Sequence, residues 1–550
     1  MWFKKIFLLF ILSFFISDLA FPQQTTAKKD TTRLYRKIET YSKKRNFTKF
    51  LYSVIFKPVE TNPAKKKKYN RLIVKPYSSF EGKIIRKINI VTLDPFGYSI
   101  VDTIAAPTGF AAKTGNYLHI KTLSITIRNL LLIRKNQVFD SLLVKESERL
   151  IRNKEFLLDV SFFVNSPTIN SDSVDISIRV IDIWSLIPQG SASFSGFKAG
   201  LTDNNFLGLG HTFQNIYGRN YTKGTYSFLT DYAIPNIKNS YIGAKLHFDK
   251  VENENYNRQL ALDRPFFSPF AKWAAGINLM QQFRYDSIWT TKLLFMPQPI
   301  RFNLQDYWGG NAIQLYKGNS AYVRTTNFIS SARFLRVNFL EKPEDLLDTL
   351  HRYTGENFYL ASFGISTRQY VQDRYIFKFG LTEDVPIGKA LSITGGYQIR
   401  NNKGRPYLGA RISFGNYYPW GYLSSNFEYG TFIEASHAQQ GILSAGLIYF
   451  TGLKEIGKWK FRQFVKPQIS MGTNMFSSDT LTMNDGHGLD GFKVAGMSGR
   501  GRLLLTLQTQ AYAPFNLIGF RFGPFLNLTI LDMIGDTSAS GTTKCTPKSE

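Results

Sequence analysis

The sequence is poor in cysteine and in long apolar runs, and both shortages exclude classes of protein. A single cysteine, Cys545, in 550 residues excludes a disulfide framework and a cysteine metal site. Beyond the N-terminal segment, no apolar stretch reaches the roughly 20 residues that a membrane-spanning helix needs. The mean hydropathy is −0.18. A helical membrane protein is therefore excluded.

Sequence signatures of catalysis are also scarce. The six histidines show no metal-ligand spacing, and the chain has neither a phosphate-binding Gly-Lys-Ser/Thr loop nor a Gly-x-Ser-x-Gly nucleophile turn. We therefore expect no enzyme, no metal and no other cofactor. A catalytic site dispersed along the chain is the alternative, since such sites are set by geometry rather than by sequence order.

Aromatic residues and glycine are abundant. The chain has 47 phenylalanines, 29 tyrosines and 42 glycines, and aromatic residues make up 15% of it. This composition is typical of bacterial transmembrane barrels, which carry aromatic girdles at both membrane interfaces around a polar lumen.

Residues 1–24 have the order of an export signal. Lys4 and Lys5 precede an apolar run from Ile6 to Ile16, and Ala20 is a small residue just before a polar stretch. The sequence therefore predicts a signal peptide, with a buried N-terminal strand or helix as the alternative. No cysteine lies near the predicted cleavage site, which argues against a lipid anchor.

The next segment, residues 25–80, is strongly basic. It holds part of the formal net charge of +28, and Pro58, Pro63 and Pro76 interrupt it. A basic run of this kind can bind nucleic acid. For an exported chain, anionic lipid surfaces are the better partners. We interpret the segment as a solvated basic linker and expect no nucleic-acid partner.

Residues 81–186 have the pattern of a small α+β domain. The predicted elements are a strand that includes Ile84, Ile88 and Ile90, helices at 122–132 and 140–154, and strands at 160–164 and 174–183. Asp140 is a good N-cap for the second helix. Charged residues are predicted on the helix face opposite the apolar one: Lys145, Glu146, Glu148, Arg149 and Arg152.

From residue 190 to 535 the apolar residues recur with a period of two. In 241–249, for example, Leu246 and Phe248 alternate with His247 and Asp249. About 17 such segments follow one another, and most are long enough for a tilted membrane crossing. The predicted fold class is therefore mainly β, a transmembrane antiparallel β-barrel preceded by the small α+β domain.

Longer gaps in this alternation are predicted to be loops. They lie at about 287–319, 341–356 and 474–501. The first carries Trp289, Phe295 and Trp308, which we interpret as part of a membrane-interface girdle, with ligand contact as the alternative.

Short sequence segments in the order of a known family indicate what the two regions are. The segments Arg128–Leu132, Gln137–Asp140, Glu146–Ile151 and Val174–Ile176 resemble a polypeptide-transport-associated (POTRA) domain. The barrel-start motif is Asn205, Phe206, Leu207, Gly208 and Gly210 within residues 203–210. It resembles the start of barrels of the BamA/TamA-like outer-membrane assembly factors, also called bacterial surface antigens. Residues 382–388 resemble a turn of that superfamily, whose barrels have about 16 strands.

A lumen-loop motif is a further point of resemblance. In that superfamily a long loop folds into the lumen and carries an arginine that braces the barrel wall. The matching residues here are Leu489, Asp490, Gly491 and Phe492. Asp490 stands in place of the arginine, and a carboxylate cannot make the fork-like contacts of a guanidinium. The brace is therefore absent or supplied by Lys493 or Arg500; an ordinary glycine-rich loop is the alternative.

The C-terminal residues 536–550 form a polar, irregular tail ending in Glu550. Barrels of the superfamily instead end on a strand with a terminal aromatic residue. Our hypothesis is that the chain is truncated, or frame-shifted near Asp536, and lacks its closing strands. A natural protein that ends at Glu550 and folds as a heat-modifiable barrel would contradict it.

The resemblance implies a factor that inserts or translocates outer-membrane proteins. The POTRA-like domain would capture an unfolded client by adding a strand to its sheet edge at 174–183 or 160–164. The barrel would release the client at a seam between its first and last strands. The implied partners are unfolded outer-membrane protein clients, outer-membrane lipid and assembly lipoproteins. The implied location is the outer membrane of a Gram-negative bacterium, with the N-terminal domain in the periplasm.

Two other functions fit the same fold. One is a passive porin, which Asp490 and the unusual C-terminus favour. The other is an adhesin or surface antigen that uses the predicted loops at 287–319 and 341–356. Fold alone does not decide among these functions.

Overall fold

The structure is a computed structural model that describes residues 75, 77–168, 171–251, 254–289, 295–348, 351–476, 479–482, 498–517 and 520–535. All of them belong to one compact unit, Asn70–Glu550. The predicted signal peptide, the predicted linker before Lys75 and the tail at 536–550 lie outside the described residues.

The small domain is a three-stranded sheet with three helices. Its elements are β1 (Ile84–Leu93), α1 (Phe110–Leu118), α2 (Ser124–Arg128), α3 (Ser141–Arg152), β2 (Leu157–Asn165) and β3 (Ser173–Asp182). β3 lies in the centre of the sheet, parallel to β1 and antiparallel to β2. The prediction that the strand at 174–183 offers an exposed edge to a client was therefore wrong, because both edges of β3 are already paired.

Alternating apolar residues build the core of this domain. Val174, Ile176, Ile178 and Val180 of β3 are buried against the helices. Asp140 caps α3 as predicted, since its side chain accepts from the amides of Leu142 and Leu143. Helix α1 was not among the predicted elements. Among the described residues, no helix is long and apolar enough to cross a membrane.

The second part of the chain is an antiparallel barrel. Its strands and the short strands of its loops are β4 (Leu186–Ser193), β5 (Gly196–Phe206), β6 (His211–Asn220), β7 (Tyr226–Ile234), β8 (Gly243–Lys250), β9 (Tyr256–Arg264), β10 (Trp273–Trp289), β11 (Phe295–Gln314), β12 (Thr326–Glu341), β13 (Glu356–Arg374), β14 (Thr382–Arg400), β15 (Lys403–Tyr418), β16 (Gly421–Glu434), β17 (His437–Thr451), β18 (Lys454–Ile456), β19 (Trp459–Thr473), β20 (Leu481–Thr482), β21 (Ser498–Gly499), β22 (Gly501–Tyr512), β23 (Asn516–Leu517), β24 (Phe520–Arg521) and β25 (Phe525–Ile534). The short helix α4 (Ala321–Arg324) precedes β12.

The barrel closes between its first and last strands, β4 and β25. Among the described residues the ring has about 17 full strands; the short β18 shares the edge of β19 with β17, and the pairs β20–β21 and β23–β24 lie apart. All neighbours from β4 round to β25 pair antiparallel, so an odd number of strands makes β4 and β25 run in the same direction. The hypothesis that the chain is truncated or frame-shifted near Asp536 stays a prediction.

The outward face of the wall is apolar between two aromatic levels. Tyr307, Phe334, Tyr359 and Tyr397 stand opposite one another in a single row across β11 to β14, near the end far from the small domain. At the other end, Trp420 stacks on Tyr418 and also packs against Tyr449. Exposed apolar residues such as Ile365, Ile393 and Leu408 lie between these levels. A closed barrel with an apolar band between girdles is a transmembrane barrel.

Two local predictions in the barrel were wrong. Most of the predicted loop at 287–319 is strand, in β10 and β11. Trp308 belongs to neither a loop nor a girdle, because its indole lies on the lumen side against Gly276 and Asp263. The segment at 382–388, predicted to be a turn, is the first part of β14.

Candidate functional site: the junction between small domain and barrel

The barrel-start motif forms the turn between β5 and β6, and this turn lies against the small domain. Asn205 is fully buried there. Its amide nitrogen donates to the carbonyl oxygen of Ile120 at 3.3 Å and to Oγ1 of Thr122 at 3.0 Å. Its Oδ1 accepts from the backbone amide of Gly210 at 2.8 Å. One side chain therefore shapes the turn and ties it to the domain.

Phe206 and Leu207 occupy the outer part of the same turn. The Phe206 ring packs 5.1 Å from Phe213, centroid to centroid. Leu207 has a positive φ of 56° and is exposed. The sequence motif therefore contributes packing through Phe206 and backbone geometry through Leu207.

Two glycines let the turn approach the domain closely. Gly208 has φ +73°, and a Cβ there would lie 2.4 Å from the carbonyl oxygen of Lys121. Gly210 has φ +67°, and its Cβ would lie 2.6 Å from the Phe156 ring. Both positions combine a left-handed backbone with a contact that only glycine permits.

We expect Gly208→Ala to loosen the junction. The left-handed conformation alone costs a residue with a Cβ roughly 1–2 kcal/mol, and the contact with Lys121 adds to this cost. The check is limited trypsin digestion of the folded protein, in which the variant should release the small domain faster. Gly395→Ala is the matched control, because a Cβ at Gly395 meets nothing within 4 Å; equal digestion of both variants would contradict the assignment.

The turn between β7 and β8 binds the chain that follows α2. Carbonyl groups at a helix end lack partners within the helix, and Asn236 Nδ2 donates to the carbonyl oxygen of the C-cap residue Asn129 at 2.9 Å. Beyond the helix, Asn239 Nδ2 donates to Leu131 O at 3.2 Å and Tyr241 Oη donates to Leu130 O at 3.1 Å. The barrel thus holds both the end of α2 and the segment after it.

The charged face of α3 is buried in the junction. Glu146, Glu148, Arg149 and Arg152 are all at most 6% exposed. Arg149 donates two hydrogen bonds to Glu146 one turn earlier, at 2.9 and 2.6 Å. It also donates to the carbonyl oxygen of Phe267 at 2.9 Å. Its guanidinium lies 4.1 Å above the Tyr370 ring, so the side chain joins two places on the barrel.

A second buried arginine forms what we call the junction ion cluster, composed of Lys75, Glu148, Arg152 and Asp384. Arg152 Nη1 lies 2.7 Å from both carboxylate oxygens of Asp384, and its Nη2 donates to Glu148 at 2.7 Å. Glu148 also pairs with Lys75. Because Asp384 belongs to β14, this cluster fixes α3 to the barrel wall with charge-assisted hydrogen bonds.

The N-terminus of α3 is also attached to the barrel. Arg324, at the end of α4, donates to Asp140 Oδ2 at 2.5 Å. The other oxygen of Asp140 caps the helix. A single carboxylate therefore links helix capping to domain docking.

Besides the small domain, a loop of the barrel itself covers the same end. The loop at 375–381, between β13 and β14, reaches β19 and β22, which are the fourth and fifth full strands after β14 in the ring. Phe377 stacks on the inward Phe464 of β19 at 5.2 Å, and Tyr512 Oη of β22 donates to Ile376 O at 3.0 Å. An apolar cluster that includes Ile376, Phe450 and Phe464 fills the space below. The loop therefore crosses the barrel mouth.

Two side chains hold this mouth loop in place. The carboxylate of Glu383 accepts from the backbone amides of Ile376, Phe377 and Lys378 at 2.8 to 3.1 Å. Arg462, 1% exposed, donates to the carbonyl oxygen of Tyr375 at 2.8 Å. Since Glu383 precedes Asp384, the mouth loop and the junction ion cluster are anchored at adjacent residues.

Buried charge near the cluster has a cost in the small domain. Burial raises the pKa of Asp159 in β2, and the cations Arg152 and Arg374 only partly offset it. Burial also lowers the pKa of Lys154, and the Arg149 cation lowers it further. Burial at the junction therefore disfavours the charged forms of Asp159 and Lys154.

We expect Asp159→Asn to flatten the pH dependence of stability. A carboxyl whose folded pKa lies above its unfolded value stabilises the fold below the unfolded value, about 3.9. That contribution is lost as the pH rises through the folded pKa. The variant should lose less stability than the parent between acid and neutral pH in urea titrations. A parallel decrease in both proteins would contradict this account.

The lumen above the junction is polar. His247 lies between two carboxylates, with Nδ1 2.6 Å from Asp231 and Nε2 2.9 Å from Asp249. Arg333 forms a fork with Asp306 at 2.8 and 2.6 Å. In the part of the chain that the structure describes, no group of three His, Cys, Asp or Glu residues is placed to hold a metal ion.

The lumen-loop motif Leu489, Asp490, Gly491 and Phe492 lies outside the described residues, so its role stays a prediction. Sequence reasoning missed Arg149, Arg152 and Asp384 as site residues. A signal was present in α3, where acids and arginines are spaced three and four residues apart. Their second partners lie more than 100 residues away in sequence.

The fold defines a class of protein, a transmembrane β-barrel with a small α+β domain docked at one mouth. No protein-family model and no curated protein matches the chain. Several solved structures are similar to it. BamA from Haemophilus ducreyi lacking POTRA domains 1–3 has 12% identity and a TM-score of 0.29, covering 83% of this chain and 82% of its own.

Two CdiB structures are also similar to the chain. CdiB from Acinetobacter baumannii has 8% identity and a TM-score of 0.30, covering 94% of this chain and 98% of its own. CdiB from Escherichia coli has 8% identity and a TM-score of 0.34, covering 93% of this chain and 95% of its own. The barrel itself is established by the strand pairing.

Proposed function

We propose that this protein is an outer-membrane barrel that inserts or translocates polypeptides, with a POTRA-like domain in the periplasm. The observation that carries the proposal is the seam between β4 and β25. Within the described residues, every other neighbouring pair of full barrel strands is joined by an antiparallel ladder. β4 and β25 run in the same direction and approach each other at few positions.

The sequence of β4 suits an edge that opens. All eight residues of the strand are exposed. Pro188 has no amide hydrogen to give to a ladder, and Gly190 weakens a strand. Such residues are found at sheet edges rather than in central strands. A client strand can therefore compete for this edge at low cost.

The small domain offers a second strand edge. The outer edge of β1 is covered at its start by residues 136–139, where the Ile85 amide donates to Gln137 O at 2.9 Å. From Arg86 to Leu93, no described strand pairs with that edge. On the other edge strand, β2, Phe162 O already accepts from Tyr77 Oη at 3.1 Å. We therefore assign strand addition by a client to β1.

Exposed apolar residues connect this edge with the seam. After β1 come Phe96, Val101, Ile104, Phe110 and Tyr117, all exposed. Phe96 lies 6.0 Å from the Trp184 ring, and the Trp184 indole donates to Leu186 O, the first residue of β4, at 2.6 Å. A contiguous exposed apolar surface marks an interaction site. It would guide a client from β1 to the seam.

The junction ion cluster and the mouth loop hold the barrel in a closed state. A route for a polypeptide through the lumen requires both the small domain and the mouth loop to move. A route through the seam into lipid does not, which favours lateral insertion over passage through the pore.

Depletion of the protein in its own cells tests the proposal. The expected result is a broad fall in other outer-membrane barrels, with unfolded clients in the periplasm and with assembly lipoproteins recovered in cross-linked complexes. Unchanged barrels together with one lost permeability or binding trait would overturn it in favour of a porin or an adhesin.

A further inference from the structure

The outward face of β9 to β12 carries polar rows directly beyond the aromatic row. Arg258, Gln281, Asn303 and Asn338 stand opposite one another in one row. The row between them and the aromatic level contains Leu260, Leu279, Gln305 and Arg336. Because side chains alternate along a strand, both rows point to the same side as Tyr307, away from the lumen. They therefore lie at the height where lipid headgroups meet the wall.

Hydrogen bonds order this polar surface. Tyr256 Oη donates to Gln281 Oε1 at 3.3 Å, and Gln281 Nε2 donates to Asn303 Oδ1 at 3.0 Å. The Arg258 guanidinium lies 4.6 Å above the Tyr256 ring. The amides and one arginine are thus preorganised rather than freely mobile in solvent.

A groove lies next to these rows on the same wall. Its volume is about 650 Å³, within the range of ligand pockets. The apolar side chains Leu246, Leu260 and Leu279 line it together with Arg258, Gln281 and Gln305. An apolar groove that ends at donors matches a molecule with a hydrocarbon chain and a polar head.

The charged side chains of this surface are all positive. In these two rows the described residues include two arginines and no carboxylate. The next row outward does contain an acid, Glu341, and it pairs with its own arginine, Arg301. Arginine binds phosphate through a planar fork of donors, and such contacts strengthen in a medium of low dielectric. The surface is therefore suited to an anionic head.

We propose that this wall binds a phosphorylated lipid of the leaflet far from the small domain. Arg258 and Arg336 hold its phosphate, Gln281, Asn303 and Gln305 contribute polar contacts, and an acyl chain lies along Leu246, Leu260 and Leu279. The site is independent of the seam and of the proposed insertion activity.

Native mass spectrometry of the purified full chain in neutral detergent tests this site. Lipid A, phosphatidylglycerol and an uncharged diacylglycerol are titrated separately. We expect the two phosphorylated lipids to remain bound and the uncharged one to be lost. The ratio of the affinities for lipid A and for phosphatidylglycerol shows which of the two lipids the site prefers. Each of Arg258→Ala and Arg336→Ala should weaken binding about tenfold, as for a lost charge-assisted contact.

Two further variants make the result decisive. Arg411→Ala removes an arginine from the lumen side, where its Nε donates to Asn426 at 3.0 Å, and it should bind lipid as the parent does. Leu260→Trp keeps both arginines and narrows the groove, and it should weaken binding of lipid. The site would be overturned if the Arg258→Ala and Arg336→Ala variants bound lipid as tightly as the parent. It would also be overturned if Arg411→Ala lost as much lipid binding as those two variants. Heat modifiability on gels confirms that each variant is folded.

Discussion

A barrel whose seam is covalently closed is expected to lose its insertion activity while keeping its fold. In a cysteine-free background, made with Cys545→Ser, paired cysteines on β4 and β25 would be joined by a short thiol cross-linker. The reason is that the proposed function needs β4 to separate from β25. The measurement is growth of cells that depend on this protein, with outer-membrane barrels quantified before and after reduction of a cleavable linker. We expect the locked protein to support neither growth nor normal amounts of other outer-membrane barrels. Reduction of the linker should restore both.

A cross-link between two other barrel strands controls for any effect of cross-linking as such. Ser362 of β13 stands opposite Thr394 of β14, and their hydroxyl oxygens are 3.1 Å apart. Cysteines at these two positions would join strands that are already held by a long ladder. This lock should leave growth unchanged. If the seam lock also leaves growth unchanged, the lateral route is wrong.

Removal of one arginine is expected to open the junction. Arg152→Ala leaves Asp384 buried without its partner and removes a donor to Glu148. Breaking a buried ion pair on one side typically costs about 3–5 kcal/mol. If the docked state carries this cost, the docked-to-undocked ratio falls by about a hundredfold or more. The measurements are single-channel conductance in planar bilayers and protease access to α3, and both should rise.

Two comparisons separate docking from general destabilisation. Arg86→Ala removes an exposed arginine of the same domain, paired with Asp175, and it should leave conductance unchanged because exposed pairs contribute little. Arg152→Met combined with Asp384→Asn removes charge from both partners and should recover part of the docking. Conductance equal to that of the parent in Arg152→Ala would contradict the role of the cluster.

The barrel strands were predictable where one face meets lipid and the other meets the lumen. The alternating segment at 241–249 largely coincides with β8, Gly243–Lys250. There apolar and polar side chains alternate without interruption, which is the pattern that a two-sided wall imposes.

The same reasoning failed at the start of β11. The loop predicted at 287–319 includes Pro297 and Pro299, yet both residues pair with β10 as strand residues. The pairing with β12 begins only at Arg301. Before that point β11 is an edge strand, so a proline can sit there without removing a hydrogen bond from a second ladder.

The junction could be predicted only in part. The barrel-start motif was recognised, and its glycines indicated a tight turn, but the sequence could not show that this turn touches the small domain. The charged face of α3 looked like a solvated surface because its partner Asp384 lies 232 residues further along. Ion pairs between distant segments leave no local period or spacing in the sequence.

Reconstitution tests the central claim most directly. The purified full chain is placed in liposomes, and an unfolded outer-membrane barrel is added as the client. Insertion is followed by protease protection and by the heat-modifiable gel shift of the client. The account predicts faster insertion than into empty liposomes, lost when the seam is locked and kept when Ser362 and Thr394 are joined. Equal insertion into empty and loaded liposomes would contradict it.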